Sequence, residues 1–255
     1  MIKLENFEVM GWEHAIRGMR NPMNSWEKSD SVVEGCHNAP RCYKSKGYTV
    51  GENDHELMMK LAKGGSVHAK YRRMITVYVD ITAPLYWWKE FDTYKVGTVA
   101  NSCSTMHKIP EKEFTREDFS YEHLISTEPI PCRDYSALGM LDATVYNLNK
   151  FRDLYLETKE LSKRVQEQNT HLTYKEAPYA NEIKKYWWQM IQLLPSSYNQ
   201  KRTVMLNYEV LAGIYESRKN HKLDEWVEFC KWIESLPYSE IITGGKEDED
   251  EDDER

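Results

Sequence analysis

Asn207 and Arg218 have side chains and a spacing that could bind a planar ligand. If the chain is helical from about residue 202 to residue 218, their separation of eleven residues returns to nearly the same face, about 16 Å further along the axis. Leu211 and Ile214 share that face, so we expect it to point inward. A buried amide or guanidinium needs hydrogen-bond partners, which a ligand could supply. The alternatives are an arginine that complements the helix dipole and an asparagine that hydrogen-bonds locally.

A second candidate is the segment 98–105, which is rich in short hydroxyl side chains. Such side chains and free backbone amides can hold a phosphate, and flanking cations can neutralise its charge. The sequence has no P-loop or dinucleotide-binding glycine pattern, so a plain turn is the alternative. The polar side chains of this candidate and its flanks are Lys95, Thr98, Asn101, Ser102, Ser104, Thr105, His107 and Lys108.

His68 comes shortly before Arg72 and Arg73, at a predicted junction between a helix and a strand. A histidine beside two cations could contact an anionic ligand. The alternatives are a hydrogen-bonded structural histidine and ordinary surface cations.

The cysteines could form a zinc site with neighbouring histidines, but their spacing is not one that zinc sites use. The residues concerned are Cys36, His37, Cys42, Cys103 and His107. The five cysteines are scattered and odd in number, which argues against a disulfide framework and for a reducing compartment. We therefore expect no metal and a cytoplasmic protein.

The net charge of −7 comes from a run of acidic residues at 247–254. The remaining body is near neutral and offers no broad basic face, so we expect no nucleic-acid partner. No apolar run approaches the ~20 residues that span a bilayer, so we expect no membrane association. The composition predicts one domain at 1–243 and a disordered acidic tail at 244–255.

The elements that position these residues follow from hydrophobic periodicity. The segment ITVYVDIT alternates strictly and predicts a strand, whereas residues 28–52 indicate a long loop. Asn53 is expected to cap the next helix, with Glu56 as its capping-box partner. Predicted helices cover residues 12–19, 135–168, 180–193, 202–218 and 224–236. This pattern predicts an α+β fold with a largely helical C-terminal half.

Read in order, these segments resemble the flavin-dependent thymidylate synthases over residues 50–110 and 185–240. The order is Gly64-Gly65, then His68, the alternating strand, Ala83-Pro84, a helix, and TYKVGTVANSCSTMH. Asn101 and Ser104 match the asparagine and second serine of that family's RHRxxSxNxxSxR loop. Leu194-Pro195, Asn207 and Arg218 reproduce the family's intervals between a Leu-Pro step, an asparagine and an arginine.

The resemblance implies an α+β thymidylate synthase-complementing-protein-like fold with an antiparallel or mixed sheet. It implies roles for individual residues. Arg218 would contact the uracil base, and Arg218 and Ser104 would be catalytic. The remaining substrate-binding residues would be Glu90, Asn101, Ser102, Cys103 and Thr105, and the cofactor-binding residues would be His68, Thr93, Tyr94, Lys95, Asn207 and His221.

This sequence departs from the family at the RHR triplet, where it has Thr93-Tyr94-Lys95. Met106 stands in place of the motif's final arginine, with His107 and Lys108 beside it. A lysine does not reproduce the bidentate contact of an arginine with phosphate. The sequence therefore matches the family better in its C-terminal half than in the signature loop.

The resemblance implies the transfer of a one-carbon unit from methylenetetrahydrofolate to C5 of dUMP, with FAD as cofactor and NADPH as reductant. It also implies a homotetramer. Two alternatives remain open: a homologue that binds a pyrimidine nucleotide without catalysis, and an enzyme that modifies a different pyrimidine nucleotide.

Overall fold

The computed structural model describes residues 1–34, 47–127, 136–168 and 178–244. The chain forms two compact units. The sheet unit consists of Ile2–Ile81, Phe91–Asn101 and Arg202–Arg255. The helical unit consists of Met1, Thr82–Glu90 and Ser102–Lys201.

Strands and helices are mixed along the described residues, as an α+β fold requires. The strands are β1 Lys3–Met10, β2 Val32–Glu34, β3 Gly47–Thr49, β4 Thr76–Pro84, β5 Val99–Ser102 and β6 Asn199–Asn207. The α-helices are α1 Trp12–Arg20, α2 Glu52–Lys63, α3 Leu85–Phe91, α4 Ala137–Gln168, α5 Ala180–Leu193, α6 Tyr208–Arg218, α7 Asp224–Glu234 and α8 Glu240–Thr243. Short 3₁₀ helices lie at Asn21–Met23, Trp26–Lys28, Lys70–Met74 and Arg116–Asp118.

The main sheet has four antiparallel strands in the order β1, β4, β6, β5. Strand β4 confirms the alternation predicted from the sequence, because Val77, Val79 and Ile81 are buried while Tyr78 is exposed. Apolar side chains at every second position cover one face of a sheet. The predicted α+β class is therefore confirmed, and its antiparallel sheet fits the predicted architecture.

The predicted loop at 28–52 is wrong within its described part. Strands β2 and β3 pair antiparallel, with Val32 opposite Thr49. The segment is anchored by the buried carboxylate of Asp54, which accepts hydrogen bonds from the Ser31 hydroxyl at 2.6 Å and from Arg20 Nε at 2.5 Å. Burial would raise the pKa of Asp54, but these hydrogen bonds and the Arg20 charge bring it below its usual range.

The predicted cap of α2 is also wrong. The N-cap position is Gly51, not Asn53. The free amides of the first turn donate instead to Asp30, whose carboxylate accepts from Asn53 N at 2.9 Å and from Asp54 N at 3.1 Å. A distant residue thus satisfies the helix terminus that a local capping box would otherwise satisfy.

The helical unit is built on α4 and α5, two helices that the sequence predicts. Its core is a cluster of apolar side chains: Ile109, Phe114, Phe119, Leu141, Leu148 and Met190. At about 1.5 Å per residue, the 32-residue α4 is about 48 Å long, whereas the 14-residue α5 is about 21 Å long. Much of α4 therefore extends beyond the length that α5 can cover.

The predicted helix at 202–218 is wrong over its first six residues. Residues up to Asn207 belong to strand β6, where Val204 and Leu206 are buried on one face. The helix α6 begins at Tyr208. Asn207 and Arg218 therefore do not share one helical face; they stand at the two ends of α6. Among the described residues, none of the helices has the length and apolarity needed to cross a bilayer.

Candidate functional site

Asn207 is the N-cap of α6. Its side-chain oxygen accepts hydrogen bonds from Glu209 N at 3.1 Å and from Val210 N at 3.0 Å. An asparagine in the extended conformation satisfies amides that a helix terminus leaves free. The local hydrogen-bonding alternative considered for Asn207 is therefore confirmed, and its Oδ1 has a structural role.

The loop Thr93–Gly97 lies along α6 and contacts both of its ends. At one end, a Cβ on Gly97 would lie 2.9 Å from Asn207 Nδ2 and 3.2 Å from a methyl group of Val210. Gly97 has φ +77°, a conformation that disfavours other residues. This close approach requires glycine at residue 97 and fixes the loop beside Asn207.

At the other end of α6, the guanidinium of Arg218 is held in an aromatic cluster. Its Nε donates to the Tyr94 hydroxyl at 2.9 Å, and its Cζ lies 4.7 Å from the centre of the Trp226 ring. Its Nη1 is 2.9 Å from His221 Nε2. Hydrogen bonds and a cation–π contact thus fix the plane of a half-buried guanidinium.

His221 is held at both ring nitrogens. Leu223 N lies 3.2 Å from His221 Nδ1, and Arg218 Nη1 lies 2.9 Å from His221 Nε2. Because a guanidinium can only donate, His221 Nε2 accepts a hydrogen bond from Arg218. His221 therefore helps to orient the guanidinium, together with Tyr94 and Trp226.

Trp226 packs against the Arg218 guanidinium and is not among the site residues predicted from the sequence. It is fully buried in α7, stacks on Phe91 with centroids 6.4 Å apart, and contacts Phe229 edge to face. The sequence places Trp226 on the inner face of the predicted helix at 224–236, and that position indicates a core residue rather than a site residue. The neighbouring Cys230 is buried, which raises the pKa of its thiol to about 11.

Buried polar atoms surround the N-terminal end of α6. Within the described part of the chain, Arg72 Nε, Thr98 Oγ1 and Glu209 Oε2 are buried without a hydrogen-bond partner. Arg72 Nη1 lies 3.6 Å from Glu209 Oε2, which is an ion pair beyond hydrogen-bond distance. Thr98 follows Gly97 in the loop beside Asn207. Unsatisfied groups of this kind are costly and suit a polar ligand.

Of the second candidate, 98–105, residues 98–101 belong to the sheet unit, and residues 102–105 belong to the helical unit and extend from the end of β5. Cys103 N donates to Lys201 O at 2.9 Å, and Gln200 Nε2 donates to Cys103 O at 2.8 Å. The Ser104 hydroxyl oxygen accepts from His107 N at 3.0 Å. The backbone is therefore fixed, while the side chains of Ser102, Cys103 and Ser104 are exposed.

The other predicted site residues make fewer interactions with this cluster. His68 is exposed in the turn after α2, and Arg73 is exposed beside the buried Arg72. In the sheet unit, Thr93, Lys95 and Asn101 are exposed. In the helical unit, Glu90 is half-buried in α3 and Thr105 is half-buried after β5. The structure therefore brings together Tyr94, Arg218 and His221, with Asn207 at the opposite end of the same helix.

The zinc alternative falls largely outside the described residues, because Cys36, His37 and Cys42 do so. Within 1–34, 47–127, 136–168 and 178–244, no group of three or more acidic, histidine or cysteine side chains could hold a metal. A cavity of about 610 Å³ lies in the helical unit beside Tyr155 and Ile183. None of its lining residues is a predicted site residue.

Comparison with solved structures finds this arrangement of elements in thymidylate synthase X (ThyX) from Helicobacter pylori with FAD and dUMP. The match has a TM-score of 0.56 at 15% identity and covers 94% of this chain and 96% of that chain. The chain has the fold of a flavin-dependent thymidylate synthase. A second structure of the H. pylori enzyme complexed with FAD and dUMP matches with a TM-score of 0.55 at 15% identity, over 94% and 95% of the two chains. No protein-family model and no curated protein matches the sequence.

The resemblance derived from the motifs is therefore confirmed at the level of the thymidylate synthase fold. The polar environment around α6 is compatible with a flavin nucleotide. The buried atoms of Arg72, Thr98 and Glu209 beside Asn207 could meet hydrogen-bonding groups of an isoalloxazine ring. The departure from the RHR triplet has a structural consequence, because Tyr94, which replaces its histidine, binds Arg218.

Proposed function

We propose that the protein binds FAD and a pyrimidine nucleotide and methylates dUMP to dTMP, with methylenetetrahydrofolate as one-carbon donor and NADPH as reductant. The observation that carries this proposal is the Arg218 guanidinium, fixed by Tyr94 and Trp226 within a thymidylate synthase fold. A guanidinium whose plane is already set loses little freedom when it binds a flat base.

Each predicted residue then has a defined task. Arg218 contacts a carbonyl oxygen of the uracil ring and stabilises negative charge that develops on it, while His221 accepts a hydrogen bond from Nη1 and orients the guanidinium. Asn207 presents its Nδ2 group to the flavin while its oxygen caps α6. Bound FAD would supply hydride transfer, while the protein orients the rings and excludes water.

The phosphate would be held by Ser102–Thr105. The exposed Ser104 hydroxyl accepts from a backbone amide, which leaves its own hydrogen available to donate to a phosphate oxygen. Cys103 and Asn101 would border the phosphate, with Lys95 as a nearby cation in the sequence. Thr105 and Glu90 complete the proposed substrate contacts, and His68 and Thr93 the cofactor contacts.

Nucleotide binding without methylation is the second candidate. The bond from Arg218 Nε to Tyr94 favours it, because this hydrogen bond replaces the cationic RHR environment of the resembled family with a neutral phenol. A neutral neighbour stabilises a bound base but contributes less to the charge that develops during methyl transfer. An enzyme acting on a different pyrimidine nucleotide is consistent with the same contacts.

We also propose that the chain functions as a homotetramer in the cytoplasm, with residues 1–243 acting as one domain before the acidic tail. Flavin-dependent thymidylate synthases build their sites from several subunits, as the resemblance implies. The exposed positions of Ser102 and Ser104 are consistent with completion of the site by a neighbouring copy.

The test is an anaerobic assay of the purified chain with dUMP, methylenetetrahydrofolate, NADPH and FAD, with dTMP measured by mass spectrometry. The first candidate predicts flavin absorbance and turnover, and Arg218→Lys should abolish turnover. Arg17→Lys is a matched control, because Arg17 also contacts a histidine three residues away, at 3.1 Å from His14. A rise in melting temperature with dUMP but no dTMP supports the second candidate, and no response to either ligand contradicts both.

A further inference from the structure

The helix α4 has two apolar stripes, and the first one packs inside its own unit. Leu141, Leu148 and Ser162 are buried, and Tyr155 between them is half-buried. These residues are separated by multiples of seven, so they follow one face of the helix. This stripe supplies Leu141 and Leu148 to the core of the helical unit, against which Leu138, Val145 and Phe151 of α4 also pack.

The second stripe lies beside the first, and its exposed members face outward, whereas Phe151 is half-buried and also packs against the core of the helical unit. Leu154 is 40% exposed, Leu161 is 45% exposed and Met140 is 48% exposed. The stripe advances by alternate steps of four and three residues, which is the spacing of a coiled-coil seam. Its members are Met140, Thr144, Asn147, Phe151, Leu154, Thr158, Leu161 and Val165.

The polar members of this stripe are already hydrogen-bonded within α4. Thr144 Oγ1 donates to Met140 O at 2.9 Å, and Thr158 Oγ1 donates to Leu154 O at 2.6 Å. Asn147 Nδ2 donates to Ala143 O at 2.8 Å. Both threonine hydroxyls therefore have their hydrogens satisfied, which lowers the cost of covering the stripe.

The stripe is complementary to itself when a second copy is placed antiparallel. A two-fold axis between Arg152 and Asp153 brings each residue of the stripe opposite another member. The resulting pairs are Met140 with Val165, Thr144 with Leu161, Asn147 with Thr158, and Phe151 with Leu154. The one amide of the stripe thereby meets a hydroxyl, and large apolar residues meet near the axis.

The charges beside the stripe distinguish this orientation from the parallel one. In the antiparallel arrangement, Lys150 of one copy lies beside Glu157 of the other, and the two-fold axis repeats the pair. In a parallel arrangement, Lys150 would instead lie beside Tyr155, which is already half-buried in its own unit. Charge complementarity of this kind sets orientation and excludes wrong pairings.

We propose that α4 pairs antiparallel with α4 of a second copy of this chain, through the stripe from Met140 to Val165. The pairing surface involves none of the residues assigned to FAD or dUMP. Loss of nucleotide binding would therefore leave the pairing intact, and loss of pairing can be measured without any ligand.

The test is the molar mass of the full chain by size-exclusion chromatography with light scattering over a range of concentrations. Leu154→Glu should lower the molar mass, because it places charges in the seam next to Phe151. Lys150→Glu and Glu157→Lys should each weaken self-association about five- to thirtyfold, since each replaces two attractive pairs by two repulsive ones. The double variant Lys150→Glu/Glu157→Lys should restore the wild-type mass.

Asp153→Lys is the matched control, because it makes the same type of charge change on the outer side of α4 and should leave the mass unchanged. Circular dichroism checks that the variants remain folded, and the charge variants alter exposed residues only. A monomeric wild-type chain, an unchanged mass for Leu154→Glu, or a double variant that stays as dissociated as the single ones would overturn the proposal.

Discussion

The Arg218 cluster in the sheet unit, formed by Tyr94, Arg218, His221 and Trp226, and residues 102–105 in the helical unit are constructed differently. At α6, side chains bind side chains: Arg218 is fixed by Tyr94, His221 and Trp226. At Ser102–Thr105, backbone groups fix the chain and the side chains stay exposed. The side chains proposed to bind a base are therefore preorganised, whereas those proposed to bind a phosphate would order when it binds.

Among the variants, Arg218→Lys should change the affinity for dUMP most. A lysine retains the charge but loses the planar guanidinium that binds Tyr94 and stacks on Trp226. We expect the affinity for dUMP to fall about 10- to 150-fold, the equivalent of one charge-assisted hydrogen bond. Calorimetric titration measures the change, and an unaltered affinity would show that the Arg218 cluster does not bind the base.

Two variants of Asn207 distinguish its role as a helix cap from a role in ligand binding. Asn207→Ala removes the cap and should destabilise the protein by about 1 kcal/mol, which corresponds to a fall in melting temperature of about 2–4 °C. Asn207→Asp keeps an acceptor for Glu209 N and Val210 N but replaces Nδ2 by an oxygen. We expect Asn207→Asp to melt like the wild type and to bind FAD more weakly. Full retention of FAD by Asn207→Asp would limit Asn207 to its structural role.

Ser104→Ala tests the phosphate side. The variant loses one charge-assisted hydrogen bond to the phosphate at an exposed position, where its contribution is at the lower end of the range, so the affinity for dUMP should fall about tenfold. Deoxyuridine, which has the same base without the phosphate, serves as the internal control and should bind the variant and the wild type equally. If the affinities for dUMP and deoxyuridine fall together, the segment acts through the fold rather than through the phosphate.

The smallest effect is a difference in alkylation rate. Cys103 is exposed, whereas burial raises the pKa of Cys230 to about 11. Because the thiolate is the reactive form, Cys230 stays protonated and unreactive at pH 8. We expect iodoacetamide to label Cys103 and not Cys230, with bound dUMP slowing the labelling of Cys103, as followed by peptide mass spectrometry. Equal rates with and without dUMP would place the phosphate elsewhere.

The elements with long periodic patterns were predictable from the sequence, and those set by tertiary contacts were not. Strand β4 and helices α4, α5 and α7 follow patterns long enough to define their period. Strand β6 has the same alternation at Val204 and Leu206, but it runs directly into α6, so the combined segment resembles one helix.

The ends of helices were also not predictable where a distant residue determines them. The first turn of α2 is satisfied by Asp30, more than twenty residues earlier in the chain, and local sequence does not reveal such a partner. For the candidate site, the spacing of Asn207 and Arg218 selected two residues on a geometry that is wrong, because Asn207 ends β6 and Arg218 ends α6. The contact of Tyr94 and Trp226 with Arg218 depends on the packing of a loop and α7 against α6, which spacing alone does not encode.

The most direct test of the central claim is a calorimetric titration of the FAD-supplemented chain with dUMP, carried out in parallel on the wild type, Arg218→Lys and Arg17→Lys. We expect saturable binding of dUMP to the wild type and to Arg17→Lys, and strongly reduced binding to Arg218→Lys. No binding of dUMP to the wild type, or equal binding to all three proteins, would contradict it.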